Sequence, residues 1–239
     1  MKKLAVITGA SSGIGREIAK KLSNNGHPVL LLSRRLDKME ELNLPNSLCK
    51  SVDVTNIEKM KEAIKEAEEK FEKVDCLINC AGIMLLGEPN TQSYEEWSNM
   101  IDVNIKGILT GTNIVLNDMV SRNEGTIINI SSIAGRKTFD NHSVYCGTKF
   151  AVHAITENMR KEVASSNVRV ITIAPGVVET PLLSHTTDMN IKDNYNEWKK
   201  TIEAGLDPEK IASCVEFAYN QPQDVCIREI VIAKTKQED

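Results

Sequence analysis

The chain has 239 residues and a formal net charge of −4. That length allows one α/β unit or two small domains and is ample for a buried core. Acidic and basic residues are interspersed, with neither a basic stripe for nucleic acid nor a polybasic membrane patch, so neither partner is expected. The apolar start reaches Gly9 too soon for a signal peptide, and no run of roughly 18 apolar residues follows, so a cytoplasmic location is expected. Cys49, Cys76, Cys80, Cys146, Cys214 and Cys226 form no CxxC pair and read as reduced. His27, His142, His153 and His185 lack ligand spacing, so no metal site is expected.

Apolar runs of β type at 4–8, 29–33, 48–52, 74–79, 126–131, 168–174 and 227–232 alternate with helical stretches. Runs apolar on both faces fit strands covered on either side, which predicts an α/β fold with a single doubly wound parallel seven-stranded sheet. The first run feeds Gly9-Ala10-Ser11-Ser12-Gly13-Ile14-Gly15, after which Ile14, Ile18 and Leu22 recur at helical period. Such a turn lets backbone approach a pyrophosphate with no Cβ in the way and aims helix N-terminal N–H groups at it. Gly9, Ser11, Ser12, Gly13, Ile14 and Gly15 are therefore candidate dinucleotide contacts, and Gly26 closes the helix.

The second strand ends at Ser33-Arg34-Arg35, where binders of unphosphorylated NAD place an acid. Two guanidiniums suit a 2′-phosphate, so the expected cofactor is NADP, with NADPH preferred over NADH. Asp37 is expected to cap a short helix starting near Lys38. Asp53, followed by Val54, either accepts from the adenine amino group or serves its own turn. Thr55 and Glu58 have the spacing of a capping box, Ser93 and Glu96 repeat it, and Asp207-Pro208-Glu209 opens the last helix. Residues 177–200 interrupt the alternation with a polar run ending near Trp198; they are a flap over the substrate or an ordinary surface excursion. No repeat or linker marks a boundary, so residues 1–239 read as one domain.

Tyr145 and Lys149, four apart, share one face of a helix. A phenol titrates near 10 and must fall by roughly two or three pH units to act as a base near neutrality, to which Lys149 is expected to contribute. Ser132 ends the 126–131 run, at the edge where open α/β sheets bind ligands, and its hydroxyl suits a substrate oxygen. Asn104 sits mid-helix, where its propensity is poor; a plain buried amide is one reading of it.

The segments Thr8 to Gly15, Asp53-Val54, Asn79-Cys80-Ala81-Gly82, Asn104, Ile130-Ser131-Ser132, Tyr145 to Lys149, and Pro175-Gly176 with Thr180 occur in this order. Together they resemble the short-chain dehydrogenase/reductase family over almost the whole length, with Cys80 departing from the more usual asparagine. The resemblance implies an NAD(P)-dependent oxidoreductase on a Rossmann-type sheet, a homodimer or homotetramer. It implies Tyr145 as general acid/base, Ser132 as the group that polarises the substrate, and Lys149 on the nicotinamide ribose. Asn104 would bend its helix and hold a water that passes protons. Asn79, Ala81, Gly82, Pro175, Gly176, Val178 and Thr180 would complete the cofactor site, Thr180 at the carboxamide.

The Gly87-Glu88-Pro89 region, Leu206 to Glu209 and Arg228 to Ile232 look like a subgroup acting on small hydroxy acids and similar polar alcohols. Arg136, Lys137, Asn141 and His142 supply either a partly polar pocket wall or exposed loop charge. Helices near 104–122 and 145–165 carry apolar residues beyond one stripe, which suggests an interface between subunits. The expected function is hydride transfer between NADP and a small polar alcohol or carbonyl substrate; the alternative is a non-catalytic dinucleotide-sensing regulator on the same fold.

Overall fold

In the computed structural model, which describes residues 2–238, the strands are β1 (Leu4–Thr8), β2 (Val29–Ser33), β3 (Ser47–Ser51), β4 (Val74–Asn79), β5 (Gly125–Ile130), β6 (Val168–Pro175) and β7 (Glu229–Ile232). They form one all-parallel, Rossmann-like sheet in the order β3-β2-β1-β4-β5-β6-β7. The helices are α1 (Gly13–Asn24), α2 (Leu36–Glu40), α3 (Ile57–Phe71), α4 (Tyr94–Ile101), α5 (Gly107–Arg122), α6 (Ser143–Glu162), α7 (Met189–Thr201) and α8 (Pro208–Tyr219). The chain winds outward from β1 to β3, then crosses back to β4 and proceeds to β7. At that reversal, between β1 and β4, the connections leave in opposite directions and open a crevice beyond the carboxyl ends of the strands.

Strand residues alternate between two apolar layers, which is why every position of β1 and β4 is buried. Ile7 and Leu31 meet Ile18 and Leu22 of α1 and Val215 of α8 on one face. Val6 and Leu30 meet Met60 and Ile64 of α3 and Met119 of α5 on the other. A third cluster, with Met84, Met100, Tyr145 and Ile191 at its centre, forms separately from both.

Ser93 and Asp207 cap their helices as expected, accepting from the N–H groups of Glu96 and Glu209. The box expected at Thr55 is displaced by one residue. Asp53 Oδ1 takes both the N–H and the hydroxyl of Thr55, so Asn56 becomes the cap and accepts from Lys59 N–H. The short helix α2 also starts earlier than expected, with Arg35 at its N-cap and no side-chain cap; Asp37 lies inside the first turn, where its charge suits the helix dipole.

Residues 177–200 hold a 3-10 turn (Pro181–His185) and the helix α7. The base of this excursion is closed: Leu206 N–H donates to the Val177 carbonyl and Glu179 N–H to the Leu206 carbonyl, each at 2.8 Å.

Gly9 has φ +69°, and a Cβ there would stand 2.9 Å from the Ala81 backbone. Gly9→Ala is expected to cost on the order of 2 kcal/mol in urea unfolding, from the strained φ and the displaced β4 loop.

Candidate active site

Beyond the carboxyl ends of the strands lies a cavity of about 760 Å³. At one end it is lined by the β1–α1 turn and by Ser33, Arg34 and Arg35; at the other, by residues of α7. The start of α1 differs from those of α3, α4, α7 and α8, each of which has a side-chain cap. Ser12 makes no such bond and the first turn has no acid, so the N–H groups there remain available to an anion. Arg35 reaches over this turn. Its Nη2 donates to Ser11 Oγ at 2.9 Å and to Ser12 Oγ at 2.8 Å, while Ser33 Oγ donates to Ser11 Oγ at 2.8 Å. Arg34 is exposed beside Asp53. Burial alone would raise the Asp53 carboxyl, but the hydrogen bonds from Thr55 and the charge of Arg34 hold it below the ordinary value. One Asp53 oxygen is thus committed to its turn, and the residue still lines the cavity.

Ser132, Tyr145 and Lys149 come together at the cavity surface. Ser132 follows β5, where its Oγ accepts from Ala134 N–H at 3.1 Å and starts a 3-10 turn. Tyr145 and Lys149 stand one turn apart on α6, the ammonium 5.8 Å from the phenol ring centre. Lys149 is buried, and its Nζ donates to the Ile130 carbonyl at 3.0 Å. Burial pushes its pKa down to about 8, partly offset by Cys80. Burial likewise pushes the Tyr145 phenol above its ordinary value, and a hydrogen bond with Ser132 opposes this only in part. The expected lowering of the phenol is therefore not met: desolvation of a phenolate dominates.

Asn104 sits in a π-helical turn (Asp102–Lys106) joining α4 to α5. Its Nδ2 donates to the Ile83 carbonyl at 2.9 Å and to Thr148 Oγ1 at 3.1 Å, and its Oδ1 accepts from Ile83 N–H at 2.9 Å. The amide thus clamps the loop after β4 to α6. A Cβ on Gly82 would lie 3.4 Å from Asn104 Oδ1 and 3.9 Å from Lys149 Nζ, so only glycine leaves the space between them open.

Ala81, Gly82, Val54, Pro175, Gly176, Val178 and Thr180 line the cavity with Gly9, Gly13, Ile14 and Gly15. Asn79 does not: its Nδ2 donates to Asn129 Oδ1 at 2.8 Å within the core. The loop after β5 divides between its two expected readings. Asn141 and His142 line the cavity, but Arg136 turns away to Glu229 at 2.7 Å, and Lys137 is exposed beyond the wall. Phe139, Tyr195 and Gln237 join the lining without having been singled out by the sequence. Gln237 Oε1 accepts from Val177 N–H at 3.0 Å, a pairing 60 residues apart that no local pattern encodes.

The sequence matches the short chain dehydrogenase family over residues 3–191. It is 39% identical to an oxidoreductase of Staphylococcus saprophyticus, over 98% of this chain and 97% of that one. The fold is similar to a closed form of serine dehydrogenase complexed with NADP+ (TM-score 0.91, 31% identity, 99% and 96% coverage). It is also similar to an alcohol dehydrogenase from Thermococcus sibiricus complexed with 5-hydroxy-NADP (TM-score 0.86, 26% identity, 100% and 99% coverage). The chain belongs to the short-chain dehydrogenase/reductase family and is an oxidoreductase of that family.

The buried lysine has a measurable cost. A pKa of about 8, against 10.5 for a free lysine, penalises the charged form by up to about 3 kcal/mol below pH 8. The unfolded chain binds more protons at this site between pH 8 and 10.5, so its contribution to stability rises across that window. Lys149→Met should raise the nucleotide-free stability at pH 7 by up to about 3 kcal/mol and remove this part of the rise; urea unfolding of both proteins at neutral and alkaline pH measures it.

Proposed function

We propose that this chain transfers a hydride between NADP and a small alcohol or carbonyl substrate, with Tyr145 as general acid/base. One juxtaposition carries the reading: a buried phenol lining the same cavity as Ser132 and Lys149, which runs on to the uncapped start of α1. The residues fit the nucleotide. The N–H groups of Gly13 and Ile14 at the start of α1 suit its pyrophosphate, and Arg34 and Arg35 suit a 2′-phosphate. The site's glycines leave no Cβ in the way, and Thr180, Val178 and Pro175-Gly176 line the same cavity as Tyr145. Bound nicotinamide supplies or takes up the hydride.

The substrate oxygen gains or loses a proton as its carbon changes oxidation state. Tyr145 Oη donates that proton in reduction, and burial keeps the phenol protonated for this. Ser132 donates its one hydroxyl proton to the substrate oxygen. Lys149 holds the ribose and, as an ammonium, favours that phenolate. The same reading takes the protein as a cytoplasmic homodimer or homotetramer, joined through outward apolar side chains of α5 and α6 such as Leu109 and Phe150.

Tyr145→Phe is expected to lower kcat at least about 100-fold while leaving the NADPH Kd within a factor of about 2. Steady-state turnover and nucleotide titration separate the two, and retained turnover refutes the assignment. Replacing Arg34 and Arg35 by glutamine should weaken NADPH by roughly 10- to 100-fold and NADH by far less, through loss of charge-assisted hydrogen bonds. Equal losses for both nucleotides would count against the phosphate-fork reading.

A further inference from the structure

The two ends of the cavity differ in chemistry. The end beside α1 carries the guanidiniums of Arg34 and Arg35. The end beyond Tyr145 is walled by the third apolar cluster and by a continuous run of rings. The His142 ring lies 6.1 Å from Tyr145 and 6.2 Å from Tyr195, and Tyr195 lies 5.4 Å from Trp198. Flat or branched apolar groups pack well against such a run, which starts at the hydroxyl that handles the proton.

Charge is as informative as shape here. Among the described residues lining the whole cavity, the lysines are Lys149 and Lys199 and the arginines are Arg34 and Arg35, Arg35 being held at the β1–α1 turn by Ser11 and Ser12. Lys199 Nζ is paired with Glu179 at 3.0 Å, and Lys149 is committed to Ile130 and to the floor beneath Tyr145. Arg136 faces Glu229 outside the cavity. Burial holds the half-exposed His142 imidazole below its ordinary pKa, so it is neutral at pH 7. Its Nδ1 lies 2.6 Å from the Asp140 carbonyl oxygen and must donate, which leaves Nε2 as a lone pair with no proton to offer an anion. Asn141 and Asn194 are neutral, and Asp140 adds a negative charge to the lining. A carboxylate entering this chamber would shed water and find no free cation in exchange.

We propose, on the oxidoreductase reading above, that the substrate is a neutral carbonyl compound or alcohol whose apolar group packs along His142, Tyr195 and Trp198, and that keto acids and hydroxy acids are rejected. The class includes aryl and branched alkyl ketones, aldehydes and keto esters. Serine, a zwitterion, falls outside it.

The test uses a pair of substrates with the same keto group, one carrying the charge and one not. Ethyl benzoylformate and benzoylformate are reduced by the full-length enzyme with NADPH, followed by cofactor absorbance, alongside serine in the oxidative direction. The ester is expected to exceed the acid in kcat/KM by about 100-fold or more, since the acid must bury an unpaired charge. Trp198→Ala should lower kcat/KM for the ester about 10-fold, mainly through KM, and leave the NADPH Kd unchanged. Arg136→Gln should leave the ester-to-acid ratio as it is. Comparable turnover of ester and acid, efficient oxidation of serine, or a ratio that shifts with Arg136→Gln overturns the neutral-substrate inference and spares the hydride-transfer reading. No turnover with any carbonyl compound or alcohol, despite NADPH binding, overturns that reading itself.

Discussion

The site depends on an ammonium group held where water is scarce. Lys149 is buried at the carboxyl end of β5, tied to the Ile130 carbonyl, and its charge is carried against desolvation. Such a group stays in place only if the backbone around it is fixed, and several contacts fix it. Gly135 packs so closely on α6 that a Cβ would meet the His153 ring at 2.2 Å and the Lys149 carbonyl at 2.6 Å. Asn104 ties the β4 loop to the same helix through Thr148. The relative positions of Ser132, Tyr145 and Lys149 follow from that packing, because one turn of helix carries two of them and the turn packed against it carries the third.

Much of this was legible in the sequence because it is local. The strands fall within about two residues of their apolar runs, and in β1, β4, β5 and β6 burial on both faces leaves a continuous hydrophobic signature. The glycine turn and the four-residue spacing of Tyr145 and Lys149 are short patterns with a backbone meaning. Features decided by competition or by distance were not legible. Asp53 outbids Glu58 for Thr55, so the cap moves to Asn56. Arg136 finds Glu229, 93 positions later, which decides for exposed loop charge over the pocket wall that the sequence equally allowed. The phenol's proton affinity depends on how deeply α6 is covered, which no spacing rule reports.

The nucleotide end and the substrate end therefore differ in origin as well as in chemistry. The first is made by strand-to-helix turns that belong to the sheet and cannot change without disturbing it. The second is assembled from the loops after β4 and β5 and from the excursion that contains α7, which meet only in the folded protein. A serine dehydrogenase and an alcohol dehydrogenase among the similar structures fit a scaffold whose variable part is the wall rather than the floor.

The closed base of that excursion has a consequence for diversification. Val177, Glu179, Gly205 and Leu206 pin its two ends side by side, with Gly205 N–H on Glu179 Oε1 at 2.6 Å. The intervening stretch is in effect a cassette plugged into a fixed socket. Swapping it between relatives would transplant one side of the chamber, Tyr195 and Trp198 included, while leaving the sheet's hydrogen-bond ladder unaltered.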